Sequence, residues 1–236
     1  MTQVFPSMWA SEAQPLSPTE VARLPARTNV VVAARARGIT EVLHFTTTKG
    51  AIGIFHDGAL KCRRDLPSEK HLEFVYSANA PDRSRDVDWH GYVNLSISKI
   101  NLTMFNSSVQ WHLEDGAMWV VLAFTIDILS APGVVFTTSN NAYPTTHRAE
   151  GLAGFDQMFV DRVPWGYYGS VRRRYSGIDP SVTTDPQAEV LYPFALSLDR
   201  LATIYVRTED CLERVEGILS HFPPTAPILL APEVFA

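Results

Sequence analysis

The chain has 236 residues, of which 46% are hydrophobic and 19% charged, and its formal net charge is -5. This composition excludes a wholly disordered chain and supplies enough apolar material for one sizeable core, so we expect one large α+β domain. The negative charge argues against a broad, nonspecific DNA clamp, but it leaves room for a local basic site.

The N-terminal sequence and the two cysteines favour a cytoplasmic protein. The first residues contain no basic segment followed by an apolar one, which a secretory signal would need. The longest apolar run, residues 118–124, is far shorter than the ~20 residues that cross a bilayer. Cys62 and Cys211 have neither CxxC spacing nor a histidine cluster nearby. We therefore expect reduced thiols, no membrane contact and no metal site.

Local patterns predict short strands separated by helices and long loops. A capping-box start predicts a helix over 17–24. Thr47 or Thr48 can cap a helix over 51–56 that ends at Gly58. Residues 65–90 predict a long loop of the kind that often carries function. Strands are predicted over 30–32, 42–45, 92–97, 119–126, 134–137, 189–192 and 203–206, an irregular segment over 162–175, and helices over 150–160 and after Thr208.

Two pairs of polar residues are placed to face a ligand. His44 and Thr46 flank Phe45 on one predicted strand, and Gln187 and Glu189 lead into another. Residues two apart in a strand share a face, so each pair presents two polar groups together. Taken alone, a strand histidine is more often a satisfied core residue, and a carboxylate at a strand start is ordinarily solvated.

The segment 162–175 contrasts with the acidic chain around it. It holds four arginines, no acidic residue and several aromatic rings. Rings and guanidinium groups stack on bases, while arginines also pair with phosphates. The segment therefore predicts a nucleic-acid contact, with tyrosines packed under a loop of exposed arginines as the alternative. The predicted contact residues are Trp165, Tyr167, Tyr168, Arg172, Arg173 and Arg174.

The order of these motifs resembles the DarT family of DNA ADP-ribosyltransferases. The matching pieces are Arg37-Gly-Ile-Thr-Glu-Val-Leu-His-Phe-Thr46, Gly91-Tyr-Val-Asn-Leu-Ser96 and Gln187-Ala-Glu-Val-Leu-Tyr-Pro193, which frame roughly residues 37–206. The resemblance implies a split β-sandwich core with flanking helices over 37–236, and an N-terminal extension over 1–36 packed on it. The stretch Asn-Leu-Ser-Ile-Ser from Asn94 departs from thymidine-modifying members, which are richer in Phe and Pro there. The target base, thymidine or guanosine, is therefore left open.

The resemblance also implies roles for individual residues, with NAD+ as co-substrate and no metal. Glu189 would stabilise the oxocarbenium-like state in which the bond between nicotinamide and ribose breaks. Gln187 would contact the acceptor base. An arginine of the long loop, Arg83 or Arg85, would pair with NAD, and Arg63 and Arg64 compete for that role. The residues expected to hold NAD are His44, Phe45, Thr46, Tyr92 and Asn94.

The expected reaction is ADP-ribosylation of a base in single-stranded DNA by the toxin of a toxin–antitoxin pair. The resemblance adds an antitoxin ADP-ribosylglycohydrolase as partner, and we expect the enzyme to be a monomer. Two alternatives keep part of this hypothesis. In one, the same site transfers ADP-ribose to protein or to water. In the other, the chain only binds single-stranded nucleic acid, and Glu189 is structural.

Overall fold

Strands and short helices alternate along most of the chain. The computed structural model describes residues 26–66, 88–113, 116–166, 169–222 and 226–236, with side chains from residue 29 onward. Its helices are α1 (Ala26–Ala36), α2 (Thr48–Asp57), α3 (Leu102–Trp111), α4 (Gly151–Gln157) and α5 (Glu209–Leu219). Its strands are β1 (Glu41–Thr47), β2 (Ala59–Lys61), β3 (Tyr92–Ile97), β4 (Trp119–Thr125), β5 (Val135–Thr137), β6 (Arg148–Glu150), β7 (Arg162–Pro164), β8 (Val171–Arg173), β9 (Val190–Pro193), β10 (Ala195–Ser197), β11 (Leu201–Val206) and β12 (Ile228–Leu230).

Within the described residues, the main sheet has eight strands in the order β12-β11-β4-β1-β3-β9-β5-β6. Its pairings are antiparallel except for β11 with β12. Two small antiparallel pairs, β2 with β10 and β7 with β8, lie outside it. The α+β prediction is confirmed.

The junction between β1 and β3 is the narrow point of the sheet. β1 pairs with β4 along its whole length, but it pairs with β3 only at Val42–Ile97 and Leu43–Ser96. Beyond Leu43 the two strands no longer share a ladder. The sheet is therefore split into two ladders joined at this junction, in agreement with the split core that the resemblance implies.

Apolar side chains cover both faces of the sheet. One cluster packs Val42, Leu122 and Phe124 of the sheet against Val30 and Ala34 of α1, together with residues of α2, α4 and α5. The other packs Leu43, Phe45 and Trp119 against Phe105 of α3 and the C-terminal Phe235. Strand β4, buried from Trp119 to Phe124, lies between the two clusters. This explains its continuous apolar run, because a strand that is covered on both faces has no polar side.

Capping residues set the ends of two helices as predicted. Thr47 accepts a hydrogen bond from the Gly50 N–H and starts α2, which ends at Gly58 in the left-handed conformation (φ 65°). Thr208 accepts from the Cys211 N–H and starts α5. The strands around 42–45, 92–97, 119–126, 134–137, 189–192 and 203–206 and the helix within 150–160 are confirmed within a few residues.

The short strands β2, β6, β10 and β12 are not predicted from the sequence, and three longer segments differ from the prediction. The strand predicted over 30–32 is wrong, because these residues belong to α1. Val30 and Ala34, one helical turn apart, are both buried in the first apolar cluster, so packing overrides the β-propensity of the valine run. Helix α3 was not predicted, since its Asn, Ser and Thr content is poor for a helix interior, but Asn101 caps it by accepting from the Met104 N–H.

The third difference is the segment 162–175, which was predicted to be irregular. It contains the antiparallel pair β7 and β8, registered through Arg162–Arg173, Val163–Arg172 and Pro164–Val171. The helix predicted over 17–24 and most of the loop predicted over 65–90 lie outside the described residues. Among those that are described, no helix is long and apolar enough to cross a membrane.

Candidate active site

Glu189 stands at the entrance of β9, beside the end of β5. Its backbone pairs with Thr137: the Glu189 N–H donates to Thr137 Oγ1 (2.9 Å) and the Thr137 N–H donates to the Glu189 carbonyl (2.9 Å). Thr137 is fully buried. These bonds fix the backbone from which the carboxylate projects.

The Glu189 carboxylate is held by donors from two different segments. Asn94 Nδ2, on β3, donates to Oε1 (3.0 Å), and the backbone N–H of Asn141 donates to Oε2 (2.7 Å). Hydrogen bonds to an ionised acceptor are stronger than neutral ones and are directional. These two donors, one to each oxygen, therefore help to orient the carboxylate.

His44 stands where β1 and β3 separate. Its Nδ1 lies 3.0 Å from the carbonyl oxygen of Asn94. A carbonyl oxygen only accepts, so Nδ1 carries the proton of this hydrogen bond. One residue, Asn94, thus links His44 through its backbone and Glu189 through its side chain.

Thr46 shares the strand face of His44, whereas Phe45 faces the opposite way. A Cβ at Gly50 would lie 2.5 Å from Thr46 Oγ1, so glycine allows α2 to approach β1 closely here. Phe45 packs against Phe105 and Trp119 in the second apolar cluster. The Phe45 ring therefore lies in this cluster, with its centroid 6.5 Å from that of the adjacent His44 ring.

Two aromatic rings lie near the start of β3. The ring centroids of Trp89 and Tyr92 are 5.2 Å apart. The guanidinium of Arg148 lies over the Trp89 ring, 5.5 Å from its centroid. Tyr92 is therefore linked through Trp89 to the arginine that opens β6.

Asp185 is a buried carboxyl that holds the turn before Glu189. Ser139 Oγ donates to its Oδ2 and the Gln187 N–H donates to Oδ1 (3.1 Å). The Ala188 N–H donates to its backbone carbonyl (2.9 Å). Burial is the largest influence on this carboxyl and raises its pKa, and the Ser139 and Gln187 hydrogen bonds oppose that shift. Gln187 itself is buried, and its Oε1 lies 3.5 Å from the hydroxyl of Tyr143.

The β7–β8 hairpin carries the described part of the basic and aromatic segment. The Arg172 guanidinium lies 4.3 Å from the centroid of the Trp165 ring, and both Arg172 and Arg173 are exposed. Arg174 donates to the carbonyls of Val182 and Asp179, so it also supports the following loop.

The hairpin touches the loop over residues 140–146, which supplies the Asn141 N–H. Thr145 Oγ1 donates to the Gly166 carbonyl (3.0 Å), and the rings of Tyr143 and Trp165 meet edge to face, with centroids 6.4 Å apart. Trp165 Nε1 is buried and has no hydrogen-bond partner in the described structure.

Four of the predicted residues, Arg83, Arg85, Tyr167 and Tyr168, lie outside the described part of the chain. Arg64 lies near Gly91, where an added Cβ would be 3.0 Å from its Nη1. Arg63 is half-buried in the short 3-10 turn that also contains Arg64. Within the ranges that the structure describes, no group of three or more His, Cys, Asp or Glu side chains could hold a metal. Cys62 and Cys211 are both free and buried.

Sequence patterns did not predict four residues of this site: Thr137, Asn141, Arg148 and Asp185. Thr137 and Asn141 act partly through backbone groups or hydroxyls in short or irregular segments, which leave no periodic pattern. Asp185 had a usable signal, because Asp followed by Pro often begins a turn.

The sequence of this chain matches the model of a known protein family. The sequence model of the family described as "ssDNA thymidine ADP-ribosyltransferase, DarT" matches residues 43–236. No match was found among curated proteins.

Several solved structures share the fold. Thermus sp. 2.9 DarT in complex with carba-NAD+ is 17% identical, with a TM-score of 0.59 over 84% of this chain and 98% of that one. The same protein in complex with ADP-ribosylated ssDNA is 15% identical, with a TM-score of 0.56 over 84% and 97%. Thermosipho africanus DarTG in complex with ADP-ribose is 13% identical, with a TM-score of 0.50 over 83% and 50%. These likenesses support the fold, while the family match extends over most of the sequence. The chain therefore belongs to the DarT family of single-stranded DNA ADP-ribosyltransferases.

Proposed function

We propose that Glu189 is the catalytic carboxylate with which this NAD-dependent enzyme transfers ADP-ribose to a thymidine base of single-stranded DNA. The observation that carries the proposal is the orientation of the Glu189 carboxylate by Asn94 and Asn141. A charged group that is fixed before the reaction stabilises a developing positive charge without having to reorganise. Thymidine is proposed as the target because the family description names it.

His44, Thr46, Tyr92 and Asn94 form the proposed NAD-binding side of the site. His44 Nδ1 is committed to the Asn94 carbonyl, which sets the orientation of its ring relative to the gap between β1 and β3. The proximity of Tyr92 to Trp89 keeps an aromatic surface at the start of β3. Such a surface suits the planar nicotinamide ring.

The proposed step breaks the bond between nicotinamide nitrogen and ribose C1′ and forms a bond from a base nitrogen to C1′. The electron pair of the broken bond leaves with nicotinamide, and the positive charge develops on the ribose. The base nitrogen supplies the pair for the new bond and loses its proton to the Glu189 carboxylate or to water. NAD+ and the base thus give the modified base, nicotinamide and a proton.

The β7–β8 hairpin is the proposed DNA contact. Arg172 and Arg173 are exposed, and Trp165 carries a guanidinium on its ring face. A base in single-stranded DNA is already accessible, so the enzyme avoids the free-energy cost of extruding it from a duplex. The fixed rings and charges of the hairpin suit an unpaired strand.

The test is incubation of the purified chain with NAD+ labelled in its adenylate part and with oligonucleotides in which thymidine or guanosine is the only candidate base. We expect label on the thymidine-containing strand, and mass spectrometry should locate it on the base. Label on guanosine alone would overturn the choice of base. Label on protein, or free ADP-ribose without modified DNA, would support transfer to protein or water instead. Salt-sensitive DNA binding without NAD+ consumption would mean a purely binding module.

Replacement of Trp165 should weaken DNA binding. Trp165→Ala removes the ring that carries Arg172 and contacts Tyr143. We expect binding to single-stranded DNA to become weaker by about 1–2 kcal/mol, which is the range for one stacking aromatic. This corresponds to an increase in Kd of roughly 5- to 30-fold. Fluorescence anisotropy with a labelled oligonucleotide at fixed salt measures the change.

Trp111→Ala is the matched control for this substitution. Trp111 is 50% exposed and lies at the end of α3, on the side of the sheet that carries the second apolar cluster. The control should bind DNA like the unsubstituted chain. Equal Kd values for the Trp165 variant and the unsubstituted chain would contradict the assignment of the hairpin.

An antitoxin that removes ADP-ribose from DNA, a cytoplasmic location and a monomeric state belong to the same proposal. The likeness to DarTG, a protein solved with ADP-ribose, supports the antitoxin. Co-expression with a DNA ADP-ribosylglycohydrolase should relieve the toxicity of this chain, and unchanged toxicity would argue against that partner.

A further inference from the structure

Arg148 opens β6 and ties together the loop over residues 140–146. Its Nε donates to Asn141 Oδ1 (2.7 Å), and its Nη2 donates to the carbonyls of Asn141 (2.6 Å) and Tyr143 (3.2 Å). Its Nη1 donates to the carbonyl of Thr146 (2.9 Å). A guanidinium has five N–H groups, and these bonds use four of them.

Because these N–H groups already donate to protein oxygens, Arg148 differs from an arginine that binds an oxyanion. Bidentate recognition of phosphate needs two free parallel N–H groups, whereas the bonds of Arg148 to described residues leave one N–H, on Nη1. Its guanidinium is half-buried and lies over Trp89. Burial lowers the pKa of Arg148, and the nearby Glu189 carboxylate counteracts part of that shift. The contacts of Arg148 thus serve the protein's own loop.

The loop that Arg148 holds also contains the backbone donor to Glu189. Arg148 holds Asn141 at both its side-chain oxygen and its carbonyl, and the N–H of the same residue donates to Glu189 Oε2. Asn141 is buried. A shift of Asn141 would move the donor away from Oε2 and leave that oxygen without the bond that orients it.

We propose that Arg148 is a positioning residue for the catalytic carboxylate and acts through the Asn141 N–H rather than by contact with NAD+ or DNA. This inference rests on the proposed role of Glu189. A misplacement of Glu189 lowers the rate of the chemical step more than it lowers substrate binding.

The test compares Arg148→Gln and Arg148→Lys with the unsubstituted chain in the labelled-NAD+ assay. For Arg148→Gln we expect a fall in kcat on the order of tenfold, since small misplacements of reacting groups have effects of this size. The KM for NAD+ and the Kd for DNA should stay within about twofold of the unsubstituted values. Arg148→Lys should recover part of kcat, because an ammonium keeps the charge and can reach some of the carbonyls. Arg200→Gln is the matched control, since Arg200 lies in an exposed ion pair with Asp127.

A higher KM for NAD+ at unchanged kcat would overturn the inference, because Arg148 would then bind substrate directly. An unchanged kcat in Arg148→Gln, with Glu189→Gln inactive, would overturn this inference alone. Activity in Glu189→Gln would instead refute the role proposed for the glutamate. If Arg148→Gln does not fold, Asn141→Ala decides, because it removes the Nε acceptor and keeps the backbone N–H. That variant should lose kcat about threefold, and full activity would count against the inference.

Discussion

Glu189→Gln is expected to lower kcat for ADP-ribosyl transfer to single-stranded DNA by about 10²- to 10³-fold, the usual effect of removing one preorganised charged group. The variant keeps the shape of the side chain but has no charge to stabilise the developing cation. It also offers one acceptor where the site has two donors, Asn94 Nδ2 and the Asn141 N–H. Single-turnover assays with labelled NAD+ and a thymidine-containing oligonucleotide measure the loss.

Glu213→Gln is the control for this substitution. Glu213 is exposed on α5, which packs on α2, β11 and β12, and its replacement removes the same charge. It should keep full activity, and DNA binding should persist in both variants because the β7–β8 hairpin is intact. Transfer by Glu189→Gln at the rate of the unsubstituted chain would contradict the role proposed for the carboxylate.

The sequence was sufficient to predict the strands that carry the site. β1 carries His44 and Thr46 at alternate positions, β3 carries Asn94 and Ser96, and Gln187 and Glu189 alternate in the segment that leads into β9. This pattern survives in a strand with one accessible face. His44 and Glu189 were predicted to be functional from such patterns together with the family resemblance, and Asn94 from the resemblance. The structure places the three together through the two bonds of Asn94.

The loop that completes the site could not be predicted in the same way. Asn141 reaches Glu189 with a backbone N–H, and Arg148 reaches the loop through carbonyl oxygens. Every residue except proline has an N–H, so residue type carries no information about such a contact. For Phe45 the motif is misleading in another way. Its neighbours in the motif are polar, but strand alternation turns its ring into the core.

The strand predicted over 30–32, which is part of α1, was wrong because local sequence does not show what the segment packs against. Three consecutive valines favour a strand by propensity, yet Val30 and Ala34 are spaced for one face of a helix. Whether these residues form a strand or a helix depends on the surface against which Val30 and Ala34 pack. That surface is built from residues distant in sequence. Local patterns therefore predicted the strands around the site better than the elements packed on the sheet.

Asp185→Ala should reduce the free energy of unfolding by about 3 kcal/mol, because it leaves the buried Ser139 hydroxyl and the Gln187 N–H without an acceptor. Urea denaturation with an unchanged m-value would measure this loss. Asp199→Ala, at an exposed aspartate, is the matched control and should change stability little. Asp185→Asn should be milder, since its amide oxygen can still accept from one of the two donors.

The pH dependence separates the ionisation of Asp185 from its hydrogen bonds. Burial raises the pKa of Asp185 above its ordinary value of 3.8, so the folded protein holds this proton to higher pH than the unfolded chain does. The contribution of Asp185 to stability is therefore greatest below pH 3.8 and declines as pH rises through the raised pKa. Asp185→Asn has no such proton to lose. Its stability relative to the unsubstituted chain should thus improve from acid to neutral pH, and a constant difference would show that the Asp185 pKa is the same in the folded and unfolded states.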